Sequence, residues 1–463
     1  MKNLNFNINL LWVMLVFLCI GGSTFAQRNY TFYALDNTAQ SHYLNPAFKP
    51  SANVYVSFPL IPMQSVGVSN SGFNLNHLLH KRAQDDSLEF NPAKVVSKLG
   101  KRNFLTVESY NEIFAFGFRV KKNYFSFGIT NRFNGNFIYT KDMMQLAVEG
   151  NGENFLGKRA SFDKTGVNVN SYVEYAIGFN REINTKLAVG GRLKLLSGIV
   201  NVNTRETKFG IHTDETTFDL TIDGSAIINT SGIKPFYDSL APDNYNPSKN
   251  AYNFKNFGLG VDLGATYKLN DKLKVSASLL DLGFISWKTD NATFITNDVN
   301  YRFEGVYLNQ FLKDTAEAVF EQLQDTLENV FSQVENNNKY TTGLATRFYL
   351  GGTYDLTKSI NVGATLYSEV IKSRYRAAVI VSGTVKLKSW LSATLNYSQY
   401  ARSFGNIGAG VSLRGGPIQF FVASDNVLAF FAPQKSKNFH VAFGLNLLFG
   451  KPDKVVEKKA SYE

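Results

Sequence analysis

Phe439-His440-Val441-Ala442-Phe443-Gly444-Leu445-Asn446-Leu447-Leu448-Phe449 is the stretch whose alternation decides the fold. A strand sends successive side chains to opposite faces. Phe439, Val441, Phe443, Leu445, Leu447 and Phe449 therefore form an apolar, aromatic face, and His440, Ala442, Gly444, Asn446 and Leu448 a smaller and more polar one. Only the charged residues 451–463 follow, which cannot supply another strand, so the stretch reads as the closing strand of a sheet. Whether its apolar face meets a protein core or lipid depends on the rest of the chain.

The same phase recurs upstream. Phe257, Leu259, Val261, Leu263, Ala265, Tyr267 and Leu269 alternate with Gly258, Gly260, Asp262, Gly264, Thr266 and Lys268, and Asn270-Asp271 turns the chain into Leu273, Val275 and Ala277. At Leu279-Leu280 the phase slips by one, as a β-bulge would make it, so that Leu282 and Phe284 stay outside while Asp281 points in. From Glu112 onward, hairpins of this kind follow one another. Their connections alternate in length: 122–123, 182–185, 270–271, 357–359, 388–389 and 415–416 are short, whereas 134–166, 201–256, 288–340 and 425–438 are mostly long. Short turns at one end and long loops at the other belong to outer-membrane barrels. Counting hairpins predicts an all-β, transmembrane, antiparallel up-and-down β-barrel of roughly 14 strands, within 12 to 16. Residues 204–228 read as a further hairpin outside the membrane.

Composition narrows the alternatives. The chain is 44% hydrophobic and 18% charged, with 39 Phe and 23 Tyr, yet after residue 26 it has no apolar run long enough for a membrane helix. Lys2, the apolar run 10–20 and Thr24-Phe25-Ala26 have the layout of a cleaved signal peptide over 1–26, which predicts export to the outer membrane. The single cysteine, Cys19, falls within it, so disulfides, zinc–thiolate sites and cysteine nucleophiles are not expected in the mature chain. The net charge of +11 is scattered rather than clustered, and with export it argues against nucleic acid. Arg119, Arg192, Lys194, Asp262, Asp281, Arg376 and Arg414 fall on the inward face. Such charges are tolerable only in a wet or internally paired lumen, which favours a barrel over a sandwich core.

Three segments break the strand pattern. Residues 27–51 carry the rigid turn Asn45-Pro46-Ala47 and read as an amino-terminal plug or periplasmic segment. The barrel, 52–450, has helical spacing near 72–100 and again near 307–335, where an acidic-faced amphipathic helix is predicted. Residues 451–463 read as a charged periplasmic tail. The five histidines, His42, His77, His80, His212 and His440, form no metal or triad pattern in sequence, and no G-x-S-x-G accompanies the inward His440. Neither an enzyme nor a cofactor or metal is expected.

Leu44-Asn45-Pro46-Ala47, Ser65-Val66-Gly67-Val68-Ser69-Asn70-Ser71-Gly72-Phe73, Gly191-Arg192-Leu193-Lys194-Leu195-Leu196-Ser197-Gly198 and Ser278-Leu279-Leu280-Asp281-Leu282-Gly283 resemble an uncharacterised family of Bacteroidota outer-membrane proteins, a domain of unknown function. More distantly, the Asn-Pro-Ala turn before a many-stranded barrel is similar to the long-chain fatty-acid transporter class and to type IX secretion and gliding barrels. The resemblance implies a location and an architecture rather than a substrate. The expected function is a porin-like transport barrel passing hydrophobic or small solutes through a partly plugged lumen. The alternative is a non-enzymatic scaffold of a secretion, gliding or surface complex, with a partner docking on the 307–335 helix. The expected surroundings are outer-membrane lipid, lipopolysaccharide and the barrel-assembly machinery, which would read Phe443 and Phe449 as an assembly signal; the protein is expected to be a monomer.

Overall fold

Backbone pairing runs around the chain until it meets itself. The computed structural model describes residues 29–50, 52–81, 88–234, 246–303, 333–334, 338–371, 374–387, 390–400 and 403–450. The expected signal peptide and the carboxyl-terminal tail lie outside them. Strand β1 is made in two pieces, Val54–Ser57 and Gln64–Asn70. Between the pieces stand Pro59 and Pro62, which have no N–H to give to a ladder. Then come β2 (Arg102–Val120), β3 (Asn123–Thr140), β4 (Gly166–Glu182), β5 (Leu187–Thr213), β6 (Phe257–Lys268) and β7 (Leu273–Trp287). The circuit continues with β8 (Tyr340–Gly343 and Thr346–Asp355), β9 (Ile360–Ile371), β10 (Arg374–Leu387), β11 (Leu391–Tyr400), β12 (Ser403–Gly415), β13 (Ile418–Ser424) and β14 (Asn438–Phe449).

Each strand pairs antiparallel with the next, and both pieces of β1 lie between β2 and β14, with Val54 opposite Phe449 and Phe118, and Gln64 opposite Phe443 and Asn111. The closed barrel has 14 strands and no open edge, as predicted. The bulge expected at Leu279-Leu280 is present: Val261 pairs with Leu282 but Leu263 with Leu279, and Asp281 takes a φ of 56°.

Polarity is inverted relative to a soluble protein. Leu193 is 67% exposed and Ile177 66%, and Leu259, Leu282, Leu350, Leu366, Val381, Leu395 and Phe443 are exposed around the wall. From Leu273 to Phe284 the outward face of β7 runs roughly 36 Å along the strand at ~3.3 Å per residue. Tilted by ~40°, that is about the height of a bilayer's apolar slab. Phe118, Phe179, Tyr267, Tyr354, Trp390 and Phe449 ring the short-turn rim, where aromatic side chains bridge apolar and wet surroundings.

The buried core lies inside the ring. Tyr30, Phe32, Tyr33, Leu35, Tyr43, Leu44 and Phe48 pack against Tyr349, Tyr367, Ile380 and Phe421, with Tyr33 stacked on Tyr349 at 4.9 Å and Phe32 edge-on to Phe421 at 5.0 Å.

Some boundaries differ from expectation. Strand β2 starts at Arg102, ten residues before the hairpin series begins in the alternation, and much of 134–166 is the end of β3 plus the helix Lys141–Glu149. Strand β5 is 27 residues long, and its distal half carries the strands Leu220–Ser231 and Asn291–Phe303, so the hairpin read at 204–228 is part of a sheet rising from the long-loop rim. Short helices occur at Leu75–Leu78 and Pro92–Lys98, within the span of helical spacing. The helix predicted over 307–335 lies outside the described residues except for Gln333–Val334, which pair as a short strand with Thr293 and Phe294.

Candidate functional site

Inside the ring, residues 29–50 bond to inward side chains from opposite sides of the wall. The backbone N–H groups of Tyr30 and Thr31 donate to Asp425 Oδ2 and Oδ1 at 3.1 and 2.8 Å. Gln40 and Asn446 exchange amide hydrogen bonds of 2.7 and 2.8 Å, Tyr43 donates to Glu112, and Ser278 Oγ donates to the Leu44 carbonyl at 2.6 Å. In the Asn45-Pro46-Ala47 turn, Asn45 Oδ1 accepts from Ala47 N at 2.9 Å, an Asx turn that needs no outside partner. The Pro46 carbonyl accepts from Asn180 Nδ2 at 2.8 Å.

Beneath this turn two glycines, Gly190 of β5 and Gly264 of β6, are cross-strand partners. A Cβ at Gly190 would come within 2.1 Å of the Pro46 carbonyl oxygen, and one at Gly264 within 2.2 Å of Asn45 Oδ1. The wall is hollowed where the turn sits, and larger side chains there would lift it.

At the short-turn mouth, Asp36 accepts from Lys274 Nζ and Lys386 Nζ, each at 2.6 Å. Burial works against the Asp36 carboxylate, but the two ammonium groups, Lys274 foremost, outweigh it and hold its pKa below the usual range. Because the folded value is depressed, the stabilisation is complete above the unfolded value of about 3.9 and is lost as pH falls from there through the folded value. Asp36→Asn is therefore expected to ease protease cleavage of residues 29–50 at pH 7, with the difference from wild type shrinking below pH ~4. An equal difference at pH 7 and pH 3 would show that the ion pairs do not hold the segment.

Above the segment lies a network of seven charges, five of them buried and Arg132 and Arg347 partly so. Arg192 bridges Glu174 at 3.0 Å and Asp262 at 3.1 Å. Lys194 reaches Asp281 at 2.5 Å and Asp262 at 2.7 Å. Arg132 reaches Asp281 at 3.1 Å and Glu174 at 3.5 Å, and Arg347 also binds Asp281. The backbone explains the focus: the bulge turns Asp281 inward beside Asp262, whose Oδ1 accepts its N–H at 2.7 Å. Arg192 and Arg132 also cover the rings of Tyr43 and Tyr110, at 4.7 and 4.5 Å.

Of the inward charges read from sequence, Arg192, Lys194, Asp262 and Asp281 meet in this network. The other three lie elsewhere. Arg376 stands higher, 3.8 Å from Glu369 and donating to Thr106 and Asn136 at 3.2 and 3.1 Å. Arg119 donates to the Pro50 carbonyl at 3.0 Å, and Arg414 donates to Gly416 O at 3.2 Å in a short turn. Phe443 and Phe449 sit on the outward face of β14. Arg132, Glu174 and Arg347 were missed, although each falls in the inward phase of its strand.

The network forms part of the floor of a vestibule of about 240 Å³ open toward the long-loop side. One wall is an array of six asparagines: Asn134, Asn170 and Asn201 are cross-strand partners along one row, and Asn136, Asn168 and Asn203 along the next. The signal in the sequence is Asn-x-Asn three times over, at 134–136, 168–170 and 201–203. Asn201 accepts from Tyr340 at 2.8 Å and donates to Asn170 at 2.7 Å, while the buried Oδ1 of Asn203 has no hydrogen-bond partner among the described residues. Each amide offers both donors and acceptors, so the wall suits neutral solutes that hydrogen-bond in both senses. Among the described residues no group of three or more His, Cys, Asp and Glu is placed to hold a metal ion.

Residues 46–425 match the model of a family described as a family of unknown function (DUF5723). No curated protein matches the sequence. Solved structures that resemble it include the Ralstonia pickettii toluene transporter TbuX, at 10% identity and a TM-score of 0.41 over 89% of this chain and 94% of that one. The monoaromatic hydrocarbon channel CymD aligns at 10% identity and 0.40, over 93% and 99%. A Pseudomonas aeruginosa FadL homologue aligns at 9% and 0.38, over 93% and 95%. At such scores the architecture described above rests on its own strand pairing.

Proposed function

The chain belongs to the family of unknown function DUF5723, and from that premise we propose that it is an outer-membrane barrel whose lumen is plugged by residues 29–50 and whose outer vestibule admits small polar solutes. The observation that carries this reading is the inverted polarity, with an apolar wall facing outward and a charged, amide-lined interior. Of the hydrophobic and the small solutes expected from sequence, the amide-lined vestibule favours the small ones, and among these polar ones; toluene is the cargo named for TbuX, not for this chain. Passage requires the plug to move, because it occupies the lumen between the vestibule and the cavity of about 300 Å³ at the short-turn mouth. Phe443 and Phe449 are proposed as the outward aromatics through which the assembly machinery recognises β14.

Planar-bilayer conductance and sugar-driven liposome swelling test this. Wild type is expected to conduct weakly. Deleting residues 27–50, or changing Gly190→Val together with Gly264→Val to unseat the turn, is expected to raise conductance about ten-fold or more. Equal, negligible conductance in all three proteins, each shown to be inserted, would overturn a transport role.

The second reading, a partner-binding scaffold, is favoured by the sheet that the distal half of β5 builds above the rim. It expects a stoichiometric partner in affinity purification from membranes that is lost on deleting residues 307–335. Recovery of the barrel alone would sink it.

A further inference from the structure

Ser65 and His440, which the transport reading does not use, stand at the vestibule floor, and Asp425, which also anchors the plug, lies beside His440. Ser65 Oγ lies 3.2 Å from His440 Nε2, and His440 Nδ1 lies 3.5 Å from Asp425 Oδ2. They come from β1, from β14 and from the residue that follows β13. Pairing of β1 with β14 sets the first contact: Gly67, without a side chain, is directly opposite His440, and Ser65 precedes it by two on the same inward face. Asp425 is held by the two backbone N–H bonds from Tyr30 and Thr31, so its carboxylate is fixed beside the ring. Ser65 and His440 are almost wholly buried among protein atoms, yet both line the vestibule. Ser65 Oγ also donates to Asn29 Oδ1 at 3.3 Å.

We propose that Ser65, His440 and Asp425 form a nucleophile, base and orienting acid that cleave a carboxylic ester small enough to enter the vestibule. The arrangement is recognised by geometry and roles, which is why no sequence motif announced it. As Ser65 Oγ attacks the ester carbonyl carbon, its proton passes to His440 Nε2, and Asp425 faces the imidazolium that results. The tetrahedral intermediate collapses, the C–O bond to the alcohol breaks, and His440 returns the proton to the departing alkoxide. Water, deprotonated by His440, then attacks the acyl-Ser65 carbonyl carbon; the C–O bond to Ser65 breaks, His440 returns the proton to Ser65 Oγ, and the carboxylic acid leaves. Turned to present its NH2 group, the Asn29 amide would donate to the oxyanion of both intermediates.

The test uses the full chain refolded in detergent, with folding read by heat-modifiable migration on gels. A short-chain alkyl fluorophosphonate is the activated-serine probe and p-nitrophenyl acetate the substrate. The expected result is stoichiometric labelling mapped to Ser65 and ester turnover that falls at least 100-fold in Ser65→Ala and His440→Ala, with Ser382→Ala unchanged. Failure of the folded wild type to label, labelling mapped to any other serine, or turnover persisting in Ser65→Ala would each overturn the proposal. Labelling and mapping are made on wild type, so the outcome stands even if a variant misfolds. Conductance plays no part in the readout, so the two proposals fail separately.

Discussion

Leu193→Arg is expected to destabilise the vesicle-inserted barrel by about 2–4 kcal/mol, the cost of a cation on the lipid face near mid-bilayer. Leu193 is 67% exposed, and its cross-strand partners on both sides, Ile177 and Val261, share its outward face. It stands six residues above the start of β5, roughly 20 Å along the strand at ~3.3 Å per residue, well inside the apolar band. In water the same substitution at so exposed a site would change stability by within about 0.5 kcal/mol. The sign and size of the effect therefore decide what surrounds the wall. Urea titration in phosphatidylcholine vesicles measures it, and an unchanged midpoint would remove the membrane from the account. Phe449→Asp separates two further ideas. Phe449 lies at the rim, beside Val54, where a charge costs only ~0–1 kcal/mol. If that variant alone fails to assemble in cells, recognition of the strand rather than barrel stability is what it has lost, whereas Phe443, six residues farther along β14, lies in the apolar band where a charge also costs stability. Normal insertion even with Phe443→Asp added would end the reading of these two residues as an assembly signal.

Alternation in the sequence was enough to show the strands, the bulge at Leu279-Leu280 and the direction of Asp281, because one face meets an apolar phase and the other does not. It fails where both faces are wet. In β2, Arg102 to Asn111 mixes polar and apolar residues without period, as expected of a strand that has risen beyond the apolar band. The distal half of β5 was legible as a hairpin at 204–228 but not as the continuation of a membrane strand. Alternation also gives a residue's side but not its height. Arg119, Arg376 and Arg414 point inward as Arg192 does, yet only the stagger of strands around the ring brings Arg192 to Glu174 and Asp262 and leaves the others at different levels. Thr31 packs against Gly408 and Gly410, and Leu35 against Gly410. That Gly190 and Gly264 seat the 45–47 turn was not legible, since a glycine does not name what approaches it. The Ser65–His440–Asp425 line joins residues up to 375 apart in sequence, and only ring closure makes them neighbours.

The charge network yields the other large effect, and it tests whether the lumen is dry or water-filled. Asp281→Asn is expected to cost about 3–5 kcal/mol, the penalty for leaving buried cations without their carboxylate. The substitution is nearly isosteric, and Asn tolerates the φ of 56° at this position, so neither shape nor backbone strain confounds it. What it removes is the charge shared by Lys194, Arg132 and Arg347. Lys194 and Arg132 keep Glu174, and Lys194 also keeps Asp262, so Arg347 is the cation most exposed to the loss. Arg347→Met in the same chain should then recover part of the stability, and a double-mutant cycle should return a coupling of about 0.5–3 kcal/mol. In an open, hydrated pore the same carboxylate would be screened, and its removal would cost below ~1 kcal/mol with no rescue. Urea midpoints of the four proteins in vesicles distinguish the two cases. A large loss with rescue means that the plug and the network keep water from these charges, so that opening the lumen must carry the cost of wetting or re-pairing them. A small loss without rescue would make the network a solvated lining, and the plug would then be the barrier on its own.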